Sequence, residues 1–205
     1  MNFDLDSEHE LVRSTVRDFA QQHVAPVAEE LDRESRFPYE LVGELAELGL
    51  MGMTIPEEYG GAGTDTLSYA IAIEELTRVD SSVAITVAAH HSLGTLPIYY
   101  FGTDEQKREW LPDLASGKKL AAFGLTEPDA GSDAGASRTR AELRDGKWVV
   151  NGSKIFITNA GTDITACVTI TALTADNEIS NIIVPNGTPG YDISAPMKKL
   201  GWHAS

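Results

Sequence analysis

Cysteine is nearly absent: Cys167 is the only one in 205 residues, which excludes an intrachain disulfide and a cysteine-based zinc site. Basic residues are scarce as well, with 16 Lys and Arg against 31 Asp and Glu and a formal charge of −15. A chain that acidic is poorly equipped to neutralise phosphates, so neither a nucleic acid nor an anionic membrane surface suits it. An anionic small ligand stays compatible, because backbone N–H groups bind phosphate locally whatever the net charge. Long apolar runs are missing too, and none approaches the roughly 20 residues that span a bilayer. The opening stretch Met1 to Glu10 is acidic and lacks the basic-then-apolar order of a secretory leader. A cytoplasmic location is the expectation, and the sequons at Asn151-Gly152-Ser153 and Asn186-Gly187-Thr188 are read as turns.

Several catalytic signatures are lacking. Gly60-Gly61-Ala62-Gly63 has neither the spacing of a dinucleotide fingerprint nor the Lys-Ser/Thr of a P-loop. There is no nucleophile elbow. His90 and His91 are consecutive, about 100° apart around a helix, so they do not share a face as metal ligands would; no metal site is expected. With Ser92 they read as polar members of a mostly buried helix. Cys167 sits in an apolar stretch and reads as inert packing.

What is present is an ordinary globular composition, 42% hydrophobic and 23% charged. The pattern divides it into an all-helical region over residues 1–118 and a strand-rich region over 119–205, an α+β arrangement. Ser7-Glu8-His9-Glu10 has the form of a capping box. It opens a helix with the stripe Leu11, Val12, Val16, Phe19, Ala20, interrupted at Pro26 and ended by Asp32 to Ser35. Pro38 suits the first turn of a helix through Leu41, Leu45 and Leu48. Thr54 to Asp65 is a loop, followed by helices over Thr66–Val79, Ser82–Tyr99 and Asp104–Ala115, the middle one apolar nearly all round. From Leu120 the period becomes two. Asp145-Gly146 joins Arg138–Arg144 to Lys147–Val150 as a hairpin. Asn151-Gly152 turns the chain into a strand over Ser153–Asn159, and Ala166–Leu173 and Ile179–Pro185 continue the sheet.

Two stretches could carry chemistry. On a strand, Lys154, Phe156 and Thr158 point one way and Ile155 and Ile157 the other. An aromatic ring and a hydroxyl two residues apart could stack on a planar ring and hydrogen-bond its edge. Spacing alone favours an ordinary half-buried strand. Phe123 to Asp133 ends a strand at Leu125-Thr126 and enters a polar, glycine-bearing turn that could aim N–H groups, with Thr126 and Ser132, at an anion. Here too spacing alone favours a plain capped loop. A paired-carboxylate use of Glu127, Asp129 and Asp133 is rejected, because acidic turn residues are usually solvated.

Three stretches taken together resemble the acyl-CoA dehydrogenase family: Ile55-Pro56-Glu57-Glu58-Tyr59-Gly60-Gly61, Leu125 to Asp133 (LTEPDAGSD) and Asn151 to Asn159 (NGSKIFITN). Phe101 to Lys107 and Lys199-Leu200-Gly201-Trp202 are also similar to the family. The resemblance implies a helical domain followed by a partial, antiparallel, β-barrel-like middle domain, with FAD as cofactor and an acyl-CoA thioester as substrate. In the family a glutamate removes the α-proton, flavin N5 takes the β-hydrogen as hydride, and an electron-transfer flavoprotein receives the electrons. It implies that Phe123, Leu125, Thr126, Gly131, Ser132, Phe156, Ile157 and Thr158 line the cofactor and that Ser132 also meets the CoA ester. The family's third domain, which supplies the glutamate, lies beyond Ser205. The chain alone is therefore expected to bind FAD weakly and to turn over nothing, with no catalytic residue of its own. An edge strand left exposed would promote self-association, so a homo-oligomer is expected. Acyl-CoA oxidases and flavin monooxygenases of the same superfamily, and a non-catalytic assembly module, are the alternatives.

Overall fold

The computed structural model describes residues 4–205; Met1–Phe3, the first part of the acidic stretch read against a leader, lie outside the described residues. Asp6, not Ser7, opens the first helix. Its carboxylate accepts the N–H groups of Glu8 and His9 at 3.0 and 2.9 Å, so the capping box expected from Ser7 is displaced by an equally good cap one residue earlier. Helix α1 (Ser7–Phe19) widens into a π-turn (Ala20–Val24) and continues as α2 (Ala25–Glu34), where Pro26 sits in the first turn. A proline there removes one N–H from the ladder, and a wider turn just before it is a recognised accommodation. Val16, Phe19 and Ala20 are buried as the stripe predicts, whereas Leu11 is exposed. Helix α3 (Tyr39–Glu47) follows with Pro38 at its cap.

The glycine-rich loop after it is folded back on its own backbone. Gly63 N–H donates to Ile55 C=O at 2.9 Å and Ala62 N–H to Gly52 C=O at 3.0 Å. A Cβ at Gly61 would lie 2.0 Å from the Ile55 carbonyl oxygen, a backbone contact that cannot swing away. Gly61→Ala is accordingly expected to lower stability by roughly 1–3 kcal/mol, as other overpacked sites do, measured by urea unfolding. An unchanged midpoint would mean that the loop relaxes freely.

Helices α4 (Thr66–Thr77) and α5 (Ser81–Ala88) are capped by Asp65 and Asp80, each accepting a backbone N–H at 2.7 Å. The long helix expected over Ser82–Tyr99 is instead α5, a π-turn (Ala89–Thr95) and α6 (Leu96–Phe101), with Pro97 in the first turn of α6. Helix α7 (Asp104–Ala115) starts with a true capping box between Thr103 and Gln106. The helical core gathers Leu31, Leu45, Met51, Leu76, Val83 and Val87. Across it Arg17 of α1 grips the buried Glu75 of α4 with two hydrogen bonds, 2.7 and 2.9 Å long.

The strands are β1 (Leu120–Gly124), β2 (Arg140–Arg144), β3 (Lys147–Asn151), β4 (Thr165–Ala175) and β5 (Glu178–Pro185). They form one five-stranded sheet, ordered β1-β4-β2-β3, with β5 off this path and paired with β4. The antiparallel, barrel-like expectation is met only in part. Hairpins β2–β3 and β4–β5 are antiparallel, but β1 and β2 both run parallel to β4, and the sheet is mixed and open. The first hairpin turns as read, with Asp145 and Gly146 at φ 50° and 75° and Arg144 opposite Lys147. Successive residues of β1 and β4 face opposite ways. Ala121 and Cys167 pack on Ile98, Leu111 and Leu114 of the helices, while Ala122, Val168 and Ile170 pack on Val150, Ile157 and Ile182. Burial pushes the Cys167 thiol up to about 12, which keeps it protonated and unreactive. The last residues return to the helices, where Ala204 joins their core and His203 lies between the Asp32 carboxylate and the Lys199 carbonyl.

Candidate functional site

Strand β1 runs out at Gly124, and the three residues that follow are each pinned differently. The Thr126 carbonyl accepts the Ile155 N–H at 2.9 Å, which sets the 155–158 segment beside the end of β1. Leu125 is exposed and Thr126 half-buried. Glu127, expected to be a solvated turn residue, is buried: its side chain is 5% exposed, and that of its partner Lys154 8%. The Lys154 ammonium lies 2.7 Å from Glu127 Oε1, 3.1 Å from the Leu125 carbonyl, 2.9 Å from Thr171 Oγ1 and 3.3 Å from Ser137 Oγ. The Glu127 carboxylate also accepts the Ser137 hydroxyl and the backbone N–H groups of Arg138 and Thr139, at 2.7 and 3.1 Å. Burial pushes this carboxyl up, but the hydrogen bonds from Lys154, Ser137, Thr139 and Arg138 outweigh it and hold the group well below the usual carboxylate range.

Between Glu127 and Ser137 the chain makes the expected polar turn, closed at its base by reciprocal hydrogen bonds between Glu127 and Ala130. Gly131 and Ser132 stand exposed on it. Gly131 is not in the left-handed region, and a Cβ there would meet nothing of the chain within 4 Å. Among the described residues no contact requires glycine at that point, which leaves room for a ligand to come close.

The strand expected over Ser153–Asn159 is not formed. Residues 152–155 belong to no strand of the sheet, and Phe156 adopts φ 62°. Lys154 therefore does not share a face with Phe156 and Thr158; it turns inward to Glu127. Ile157 packs on the Ala122–Ile170 cluster, Thr158 is half-buried and Phe156 is 72% exposed. Left-handed backbone costs a bulky residue roughly 1–3 kcal/mol, and here burial of the ring does not offset it. Asn159, also left-handed at φ 67°, ties the segment to the helices through Nδ2–H to the Thr86 carbonyl at 2.9 Å.

The Ile155–Thr126 bond sets the Phe156–Thr158 segment beside Leu125-Thr126 at the end of β1, and Gly131 and Ser132 lie on the adjoining turn. Phe123, half-buried and paired with Thr169, belongs to the opposite face of β1 from Ala122, against which Ile157 packs. The exposed Phe156 ring, the exposed Leu125, the hydroxyls of Thr126 and Ser132 and the open Gly131 suit a large planar ligand with a polar tail. His90 and His91 belong to another environment: His90 bonds to Leu114 and Ala121, His91 to Thr54 and Met51. Among the described residues no group of three His, Cys, Asp or Glu could hold a metal ion, and no helix is long and apolar enough to cross a membrane. Sequence reasoning missed Glu127 and Lys154; one residue in each of two motifs, of opposite sign, was the available signal.

Two family models match, the acyl-CoA dehydrogenase N-terminal domain over residues 6–118 and the middle domain over residues 122–205, and the chain belongs to that family. It is 48% identical to the probable acyl-CoA dehydrogenase YngJ of Bacillus subtilis, across 100% of this chain and 55% of that protein. Butyryl-CoA dehydrogenase from Megasphaera elsdenii superposes with a TM-score of 0.93 at 40% identity, over 100% of this chain and 55% of that one. The acyl-CoA dehydrogenase of Bacillus anthracis complexed with FAD superposes at 0.89 and 40% identity, over 98% and 35%. The chain spans about half the length of the curated relatives it matches.

Proposed function

We propose that this chain forms the flavin-facing part of an FAD-dependent acyl-CoA dehydrogenase. The observation that carries this is Phe156: an exposed aromatic held in left-handed backbone beside the Thr126 bend, strain that the folded chain does not itself repay. Phe156 stacks on the isoalloxazine, Thr158 and Thr126 hydrogen-bond its polar edge, and Phe123, Leu125 and Ile157 form the apolar surroundings. Gly131 and Ser132 meet the phosphate region, Ser132 also the CoA ester. Bound FAD supplies the hydride acceptor, and the chain's own residues hold and orient it. The substrate is an acyl-CoA thioester, with a butyryl-sized chain the first to test given the relative named above. An electron-transfer flavoprotein is the electron acceptor, and the working form is a homo-oligomer.

Titrating FAD into the chain should quench flavin fluorescence, and Phe156→Ala should weaken binding about tenfold, in line with roughly 1–3 kcal/mol per aromatic stack on a base-like ring. Equal affinity of the two proteins would remove Phe156 from the site. Mixed with FAD, butyryl-CoA and an electron-accepting dye, the chain alone is expected to reduce no dye, since none of its residues is assigned as the base; rapid reduction would show a base among them.

A further inference from the structure

The flavin-site reading leaves unexplained why so short a stretch of irregular backbone should keep one shape. Residues 125–127, 137–139 and 154–155 belong to no common strand ladder, yet all converge on one buried ion pair. Lys154 bonds to the Leu125 carbonyl and the Glu127 carboxylate, the groups flanking Thr126 on either side. The next residue, Ile155, holds the Thr126 carbonyl itself. Glu127 in turn takes the Ser137 hydroxyl and the N–H groups of Arg138 and Thr139, which closes the neck of the loop carrying Gly131 and Ser132. Thr171 of β4 anchors the ammonium to the sheet at 2.9 Å.

The stem of Lys154 is fixed as well. A Cβ at Gly124 would come within 3.1 Å of the Lys154 Cγ, so the lysine chain lies directly over the last residue of β1. A flexible side chain is thereby held at both ends.

We propose that Lys154 and Glu127 are positioning residues for the cofactor site. Neither needs to touch the flavin: together they lock the Thr126 bend, the Gly131–Ser132 loop and the lead into Phe156–Thr158 in one mutual arrangement. The ion pair is a point charge and a forked acceptor in a nearly dry pocket, where an unpaired member is costly and competing arrangements of the loop are disfavoured. Preorganisation of this kind supports binding without a direct contact.

The inference rests on the flavin reading, and the test separates the two. The unaltered chain is compared with Lys154→Met and with the double variant Glu127→Gln/Lys154→Met. The double variant leaves no buried charge unpaired and keeps one side-chain oxygen, enough for one of the Arg138 and Thr139 amides, which bond to different oxygens of Glu127. Backbone hydrogen exchange is read in the free proteins, and FAD is titrated with the flavin visible spectrum and fluorescence as readouts. In the double variant the far-UV spectrum and the protection of α4 and α5 should persist. The Ile155, Arg138 and Thr139 amides should exchange about tenfold faster or more, and the FAD Kd should rise about tenfold with an altered visible spectrum, as is usual when groups that orient a site are removed. A folded double variant with unchanged exchange at Ile155 and unchanged FAD affinity overturns the proposal while leaving the flavin site standing. Loss of the helical signal would overturn it too, by showing that the pair holds the whole fold and not this site. If the unaltered chain binds no FAD, the flavin reading fails and this one falls with it.

Discussion

Replacing His90 by alanine is expected to cost roughly 3–5 kcal/mol, the sum of two orphaned buried backbone groups and a cavity. His90 is fully buried on the π-turn between α5 and α6. Its Nδ1 accepts the Ala121 N–H of β1 at 3.0 Å, so its Nε2 carries the proton and donates to the Leu114 carbonyl of α7 at 3.0 Å. One neutral ring therefore joins the last helix to the start of the first strand. Burial pushes its pKa down to about 4. In the unfolded chain the ring takes a proton near pH 6.5, while in the folded chain it resists until about pH 4. Stability therefore falls as pH falls across that window, by up to roughly 3 kcal/mol. Urea midpoints at pH 7, 5.5 and 4.5 measure it, and the alanine variant should lose this part of the slope. Equal slopes would show that the ring gains a proton without opening the joint. His203 has the opposite sign. The Asp32 carboxylate and the Lys199 carbonyl raise its pKa, so its contribution is present below pH 6.5 and fades as pH rises through the folded value.

Much of this architecture is legible in the residues. Helical periodicity and the Asp145-Gly146 turn are local signals, and they place α4, α7 and the β2–β3 hairpin close to where they form. Strand direction is not local. That β1 lies parallel to β4 depends on a pairing between Ala121 and Cys167, which no alternation of side chains encodes. The segment around Phe156 misled for a definite reason. Ile155 and Ile157 alternate as in a strand, yet the Lys154 side chain is drawn inward to Glu127 and the backbone reverses at Phe156. The neighbourhood of Thr126 and Phe156 was legible through the family's motifs. The buried partnership beneath it was not, because a Glu and a Lys in separate polar turns look solvated until the fold brings them together.

Glu127→Ala should lower stability by roughly 3–5 kcal/mol, the usual consequence of stranding one member of a buried ion pair. The variant leaves the Lys154 ammonium at the end of β1 with the Leu125 carbonyl and the Ser137 and Thr171 hydroxyls, but no counter-charge. It also strips the Arg138 and Thr139 amides of their acceptor. Adding Lys154→Met should recover part of the loss, because the uncompensated charge goes while the amides stay unpaired. The pH dependence separates this site from His90. A carboxyl held below its ordinary value contributes fully above about pH 4.5, and its contribution is lost only as pH falls toward the folded value. Acid between pH 6.5 and 4.5 therefore leaves the Glu127–Lys154 pair intact, and Glu127→Ala should shift the whole stability curve down without flattening that window. Guanidinium unfolding of the two variants at pH 7 and 5 measures both quantities. A single variant within about 1 kcal/mol of the unaltered chain would mean that water reaches Lys154 once Glu127 is gone, and that the pocket is not dry enough for the pair to hold the bend.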